Sequence, residues 1–231
     1  MSEARNRWRA ADLRVAALAL ALLLVWDASG LDLSAMRLFG DAHGFAWREH
    51  WLMRAVLHDG GRGLAWVVLA LLAVNLRWPL IQGLGPRERA WWLLATLACA
   101  LAVPALKHFS QTSCPWELAE FGGQARYVSH WRLGVADGGP GHCFPSGHAT
   151  SAFALLSGWF ALRARRPALA RAWLGTVLVL GLLYGGAQMA RGAHYPSHTL
   201  WSGWLCWMLC LLAAPSQAGP RAQTSPDKTH P

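Results

Sequence analysis

Cys143-Phe144-Pro145-Ser146-Gly147-His148 opens directly into the largely apolar run 149–162. Pro145 sets a turn, and Ser146 is suited to cap the helix that the apolar run predicts. Gly147 lets a ligand approach the backbone, and His148 falls in the first helical turn. Unpaired N–H groups and the positive end of the helix dipole make such a start a site for anions. A histidine beside a bound anion is a candidate proton donor. Taken alone, the stretch reads equally as an ordinary capped helix with an incidental histidine.

The chain around it decides the fold class. Hydrophobic residues make up 54% of the 231 positions and charged residues only 14%, against about 25% charged in soluble domains. Fifteen Trp suit the interfacial belts of a membrane protein. The net charge of +9 raises nucleic acid as a partner. Yet the cations stand in short clusters between apolar runs, which is a pattern of membrane orientation and excludes a nucleic-acid reading. Five Cys fit no zinc-finger spacing.

Six apolar runs follow in order: a first helix from about Ala10 to Trp26, then 63–76, 90–106, 147–162, 169–190 and 197–214. The first has a basic start, but Asp27-Ala28-Ser29-Gly30 is a poor cleavage site, so a retained helix is expected rather than a signal peptide. Trp47, Trp51, Leu52, Val56 and Leu57 have helical spacing and predict an amphipathic segment at the interface, ended by Gly60-Gly61. The long polar stretch 107–146 leads into the opening motif. The expectation is all-α: a polytopic membrane protein with six transmembrane helices in a bundle and an amphipathic segment on the outer face. Residues 1–14 form a basic cytoplasmic N-terminus, 15–214 one membrane domain, and 215–231 a disordered cytoplasmic tail.

With the N-terminus inside, thirteen of the 21 Lys and Arg fall in the shorter inner segments, among them Arg163, Arg165, Arg166 and Arg171. The positive-inside rule then puts both termini in the cytoplasm. Three clusters share the outer face: Lys107 to Trp116, Phe144 to His148, and Gln188 to His198. A bundle can bring three such span ends together. They would pool Lys107, Arg191, helix-start N–H groups and several histidines, a set suited to an anionic group in transfer, above all phosphoryl. Cys114 and Cys143 lie on that same outer face, while Cys99, Cys206 and Cys210 fall within spans. An oxidising outer compartment predicts a Cys114–Cys143 disulfide, with two free thiols as the alternative.

Pro-Ser-Gly-His, followed 46 residues later by Gly-Ala-His-Tyr-Pro-Ser at the start of the last run, resembles the type-2 phosphatidic acid phosphatase superfamily. These are membrane phosphatases with a six-helix core and no metal. The resemblance covers roughly residues 60–214. The family's first motif has Lys, six residues, then Arg-Pro; here Lys107 and Pro115 match and Cys114 replaces Arg. The second motif matches at Pro145, Ser146, Gly147 and His148. The third has Arg, five residues, His, three residues, then Asp; here His194 matches, Gln188 stands for Arg and His198 for Asp.

By this resemblance His194 would attack phosphorus to give a phosphohistidine, and His148 would protonate the leaving oxygen. Lys107, Ser146, Gly147, Arg191 and Gln188 would line the phosphate site. Arg191, one helical turn after Gln188, is expected to deliver the missing cation. His198 would orient His194 as an uncharged partner, with Glu117 or Asp137 as other sources of a carboxylate. No cofactor is implied. A metal held by His148, His194 and His198 is disfavoured, because Pro196 interrupts the helix and no acidic ligand is near. The expected substrate is a membrane lipid phosphate or diphosphate at the outer leaflet of a bacterial inner membrane, with the active site periplasmic. The alternatives are a lipid phosphotransferase and a non-catalytic lipid-binding or transport protein on the same scaffold. Oligomeric state is left open. Elsewhere, His108, His130 and His142 read as solvated loop residues, and Trp201, Trp204 and Trp207 as lipid or helix packing.

Overall fold

The computed structural model describes residues 2–214; the tail expected to be disordered lies outside them. The long helices are α1 (Ser2–Ser29), α3 (Gly61–Arg77), α4 (Pro86–His108), α7 (Pro167–Ala190) and α8 (Pro196–Ala213). A sixth rod is built from α5 (Gly147–Phe153), a 3₁₀ turn at Ala154–Leu156, and α6 (Ser157–Leu162). Short α2 (Leu31–Met36) and a two-residue hairpin, Gly40–Asp41 with Gly44–Phe45, follow α1. The six rods sit where the six apolar runs predicted them. The first helix begins at Ser2 rather than near Ala10.

Three of the helices are long and apolar enough to cross a bilayer: Leu52–Arg77, Pro86–His108 and Pro167–Ala190. The other three rods carry more polar or broken sequence. Asp12 and Arg14 lie on α1, the rod after Gly147 is interrupted, and α8 opens Pro-Ser-His-Thr. Rows of exposed Leu and Val, including Leu22, Val25, Leu71, Leu94, Leu101, Val179 and Leu182, face outward in the way lipid-facing residues do.

Gly60-Gly61 does not end the amphipathic segment. π-helical turns at Leu52–Gly60 run straight into α3, and both glycines are right-handed helical. Gly61 has a packing reason to be glycine: a Cβ there would meet the Tyr184 ring at 2.7 Å. Small residues let transmembrane helices approach closely in this way.

The core lies between α4, the α5–α6 rod, α7 and α8. Cys99, Val103, Ala149, Phe153, Phe160, Val177, Cys206 and Cys210 form it, and the three free cysteines are fully buried there as small apolar side chains. Indoles lace α8 to α1: Trp204 Nε1 donates to the Ala16 carbonyl at 2.9 Å and Trp207 Nε1 to that of Asp12 at 3.4 Å. On one end of the bundle Met36, Phe45, Leu118, Phe121 and Tyr195 make a separate apolar cap. On the other end Arg163 pairs with Asp12 at 2.6 Å and Arg165 with Glu88 at 3.4 Å.

Candidate active site

The three sequence clusters meet under the apolar cap, tied by backbone hydrogen bonds. His142 N–H donates to the Ser110 carbonyl at 2.7 Å and Cys143 N–H to Thr112 at 2.9 Å, joining the first cluster to the second. Trp116 N–H donates to Gly192 at 2.9 Å, joining the first to the third, and Ser146 N–H donates to His198 at 3.1 Å, joining the second to the third. Ser146 caps α5 as expected, its hydroxyl accepting from Ala149 N–H at 3.4 Å. Gly192 holds φ +73°, and a Cβ on it would collide with the Phe45 ring. That left-handed residue closes the turn that swings His194 back beneath α5.

His148 and His194 face each other with ring centroids 6.1 Å apart. His194 and His198 are both buried, their Nδ1 atoms 3.4 Å apart and their rings edge-on at 5.7 Å. Lys107, at the C-terminal end of α4, lies within electrostatic reach of both His148 and His194. Arg191 is buried; its Nε donates to the Arg48 carbonyl at 2.9 Å and its Nη1 to Gln188 Oε1 at 3.4 Å. Arg191 thus stands beside Gln188 and within electrostatic reach of His148. Burial, then the Lys107 charge and the two neighbouring imidazoles, hold His194 well below the ordinary histidine range, so it is neutral near pH 7. His148 Nδ1, Gln188 Nε2 and His198 Nε2 are buried here and have no hydrogen-bond partner among the described residues.

The expected disulfide is present. Cys114 and Cys143 are bonded with Cα atoms 5.2 Å apart across 29 residues. Cys143 Sγ lies 3.6 Å from His194 Nδ1, so the bridge braces the floor beneath that ring. Cys143, His194 and His198 cluster closely enough to suggest metal ligands, but a sulfur in a disulfide is not a thiolate.

Other expectations need correction. Asp137 does not serve His194: its oxygens accept from Ser113 N–H (2.6 Å), Ser113 Oγ (2.8 Å) and Gly139 N–H (3.0 Å). Among the described residues no carboxylate is hydrogen-bonded to His194 or His198. His130 is not a solvated loop residue. It stacks on Phe144 at 4.2 Å, meets the His198 ring at 5.9 Å and contacts Asp27 at 3.3 Å. His58 was missed as well; its ring centroid is 3.9 Å from that of His148. The only hint in the sequence was a histidine near the end of an amphipathic segment assigned to the same face.

A sequence model described as PAP2 superfamily matches residues 89–219, more than half of the chain. The chain belongs to the PAP2 superfamily. The match takes in all three clusters, so the residues that carried the resemblance lie inside it. The PAP2 fold is seen again in the crystal structure of a transmembrane PAP2-type phosphatidylglycerolphosphate phosphatase from Bacillus subtilis. That structure superposes with a TM-score of 0.56 at 17% identity, covering 86% of this chain and 93% of the other. At that identity the likeness is one of fold. No curated protein gives a significant match. PAP2 membership and a helical membrane fold support a membrane lipid phosphatase.

Proposed function

We propose that this protein hydrolyses a lipid-linked phosphate or diphosphate at the outer leaflet of a bacterial inner membrane, through a phosphohistidine on His194. One observation carries the reading: a neutral, buried His194 faces His148 across a space that Lys107 and Arg191 both reach. In the neutral pair, His194 Nδ1–H donates to His198 Nδ1. His194 Nε2 then keeps its lone pair for attack on phosphorus.

As the P–N bond forms, the bond from phosphorus to the leaving oxygen breaks. Its electron pair goes to that oxygen, which takes a proton from His148, charged in the complex because the bound phosphate anion offsets the neighbouring cations. His148, now neutral, accepts a proton from water as the water attacks the phosphohistidine, and phosphate and neutral His194 are released. Lys107, Arg191, Gln188, Ser146 and the Gly147 N–H hold the equatorial oxygens, where charge is greatest in the transition state. Two histidines, two cations and backbone N–H groups make a poor cation site and a good anion site, which supports a metal-independent reaction.

The six rods act as membrane spans in this reading. The phosphate site sits at the periplasmic end, and Arg163, Arg165 and Arg166 at the cytoplasmic end. The test is phosphate release by purified protein in detergent over a panel of lipid phosphates, with ³²P-labelled substrate to trap the intermediate on His194. Phosphate release that persists in His194→Ala overturns the mechanism. Absence of release across the panel overturns the enzyme reading.

A further inference from the structure

A second cluster of ionisable side chains lies next to His198 and takes no part in the phosphate chemistry. Asp27, at the end of α1, Asp32, on α2, and His130, in the stretch 107–146, offer ligand atoms that all lie within 4.8 Å of one another. The Asp27 and His130 side chains are only 4% and 7% exposed, and Asp32 is 5% exposed. The arginine ion pairs among the described residues go elsewhere, to Glu120, Glu49, Asp12 and Glu88. Two buried carboxylates this close repel each other unless a cation or a shared proton joins them.

Their hydrogen bonds leave one oxygen of each acid with room to accept. Asp27 Oδ2 accepts from the Trp131 and Trp201 indoles, while Asp27 Oδ1 is buried with no partner among the described residues. Asp32 Oδ1 accepts from Trp26 Nε1 and Ser197 N–H, which fills its two lone pairs. Asp32 Oδ2 accepts from the Ser197 hydroxyl and keeps a lone pair free. The ring of His130 is held as well, stacked on Phe144 at 4.2 Å with its Nε2 3.3 Å from Asp27 Oδ2. Carboxylates and an imidazole fixed from behind in this way are the construction of a metal site.

Two carboxylate oxygens and one imidazole nitrogen suit a first-row divalent cation, Zn²⁺ above all, with bonds of about 2.0–2.2 Å and water completing the set. A charge of +2 balances both carboxylates, whereas a shared proton leaves one charge uncompensated.

We propose that Asp27, Asp32 and His130 form a structural Zn²⁺ site. The cation clips the α1–α2 turn to the stretch 107–146 and, through the Asp32–Ser197 contact, to the first turn of α8. It takes no part at the reacting atoms, so the phosphatase reading neither needs it nor falls with it.

The test uses full-length protein in detergent, stripped with a chelator and titrated with Zn²⁺ alone. About one Zn²⁺ per chain should bind. At about a hundredfold excess over Kd, Tm should rise by roughly 5 °C or more. Asp27→Asn and His130→Gln should each weaken binding at least about tenfold, whereas His194→Ala should bind Zn²⁺ as the wild type does. X-ray absorption of the zinc-loaded wild type should show oxygen ligands with one imidazole, a readout that stands even where a variant fails to fold. No retained Zn²⁺, unchanged affinity in both variants, or a zinc ion ringed by two or more imidazoles overturns the inference. The two acids then share a proton, and any Zn²⁺ bound is adventitious, held by other histidines.

Discussion

The two flanks of His194 carry opposite charge. On one side stand His148, Lys107 and Arg191, with His58 and Arg62 beyond. On the other lie Asp27 and Asp32, both buried. Asp32 accepts from Trp26 Nε1 at 2.8 Å and Ser197 N–H at 3.0 Å, and from the Ser197 hydroxyl. Asp27 Oδ2 accepts from the indoles of Trp131 and Trp201, each at 2.9 Å. Between the flanks sits His198, edge-on to both His130 and His194. Where the superfamily's third motif has Asp against the nucleophile, this chain has an uncharged ring, and its acids lie farther out, occupied by neutral donors. The difference teaches that carboxylates can stay close to the proposed phosphate site when their charge is dispersed over N–H and O–H groups and used to hold helices together. The cationic flank is then left free for the proposed phosphate.

The most damaging change removes the atom on which the flanks converge. His194→Ala should lower turnover on the order of 10⁴-fold or more, read as phosphate release under saturating lipid; near-normal release would break the scheme. Next in size is the bridge under the same ring. Cys114→Ala should cost roughly 3.5 kcal/mol of stability by loop-closure entropy, read as a lowered Tm that matches reduced wild type. A Tm indifferent to reductant would show that the brace is dispensable.

Arg191→Ala should cost about 10²-fold in kcat, and Gln188→Ala considerably less. The reverse order would mean that Arg191 serves the Arg48 carbonyl rather than the substrate. The subtlest test places charge between the flanks. Burial holds the His194 pKa below the usual 6.5, so its neutral form persists as pH falls through that value. The acid limb of kcat/KM due to His194 should lie below pH 6.5. His198→Asp should favour the imidazolium and move that limb upward by about a unit. An unmoved limb would show that position 198 does not address His194.

Motif spacing made one flank legible. His148, His194, Lys107 and Arg191 stand at span ends at fixed distances, and the charge asymmetry put those ends on one face. The bridge was legible because topology left only two cysteines outside the apolar runs. The other flank was not legible. Asp27 and Asp32 meet Trp201 and Ser197 across more than 160 residues, and nothing local to either stretch marks the pairing. His130 read as solvated because it stands in the long polar stretch 107–146; the Phe144 ring and Asp27 that enclose it come from other segments. His58 was hidden for a related reason. Gly60-Gly61 looked like a helix end, and only the Tyr184 ring, packed where a side chain would otherwise project, shows why the helix continues and carries His58 to His148.

The link from α2 to α8 has a consequence for biosynthesis. Asp32, on α2, fixes the first turn of α8 through Ser197, and α8 leaves the ribosome only after the four rods that lie between them in the chain. Closing that contact must wait until the 165 residues after Asp32, through Ser197, have been delivered, because contacts between distant segments form only after the intervening chain is complete. The pocket around His194 is therefore assembled late. A nascent chain stalled before residue 197 would hold His148 and His194 without the acid clasp that seats the helix behind them.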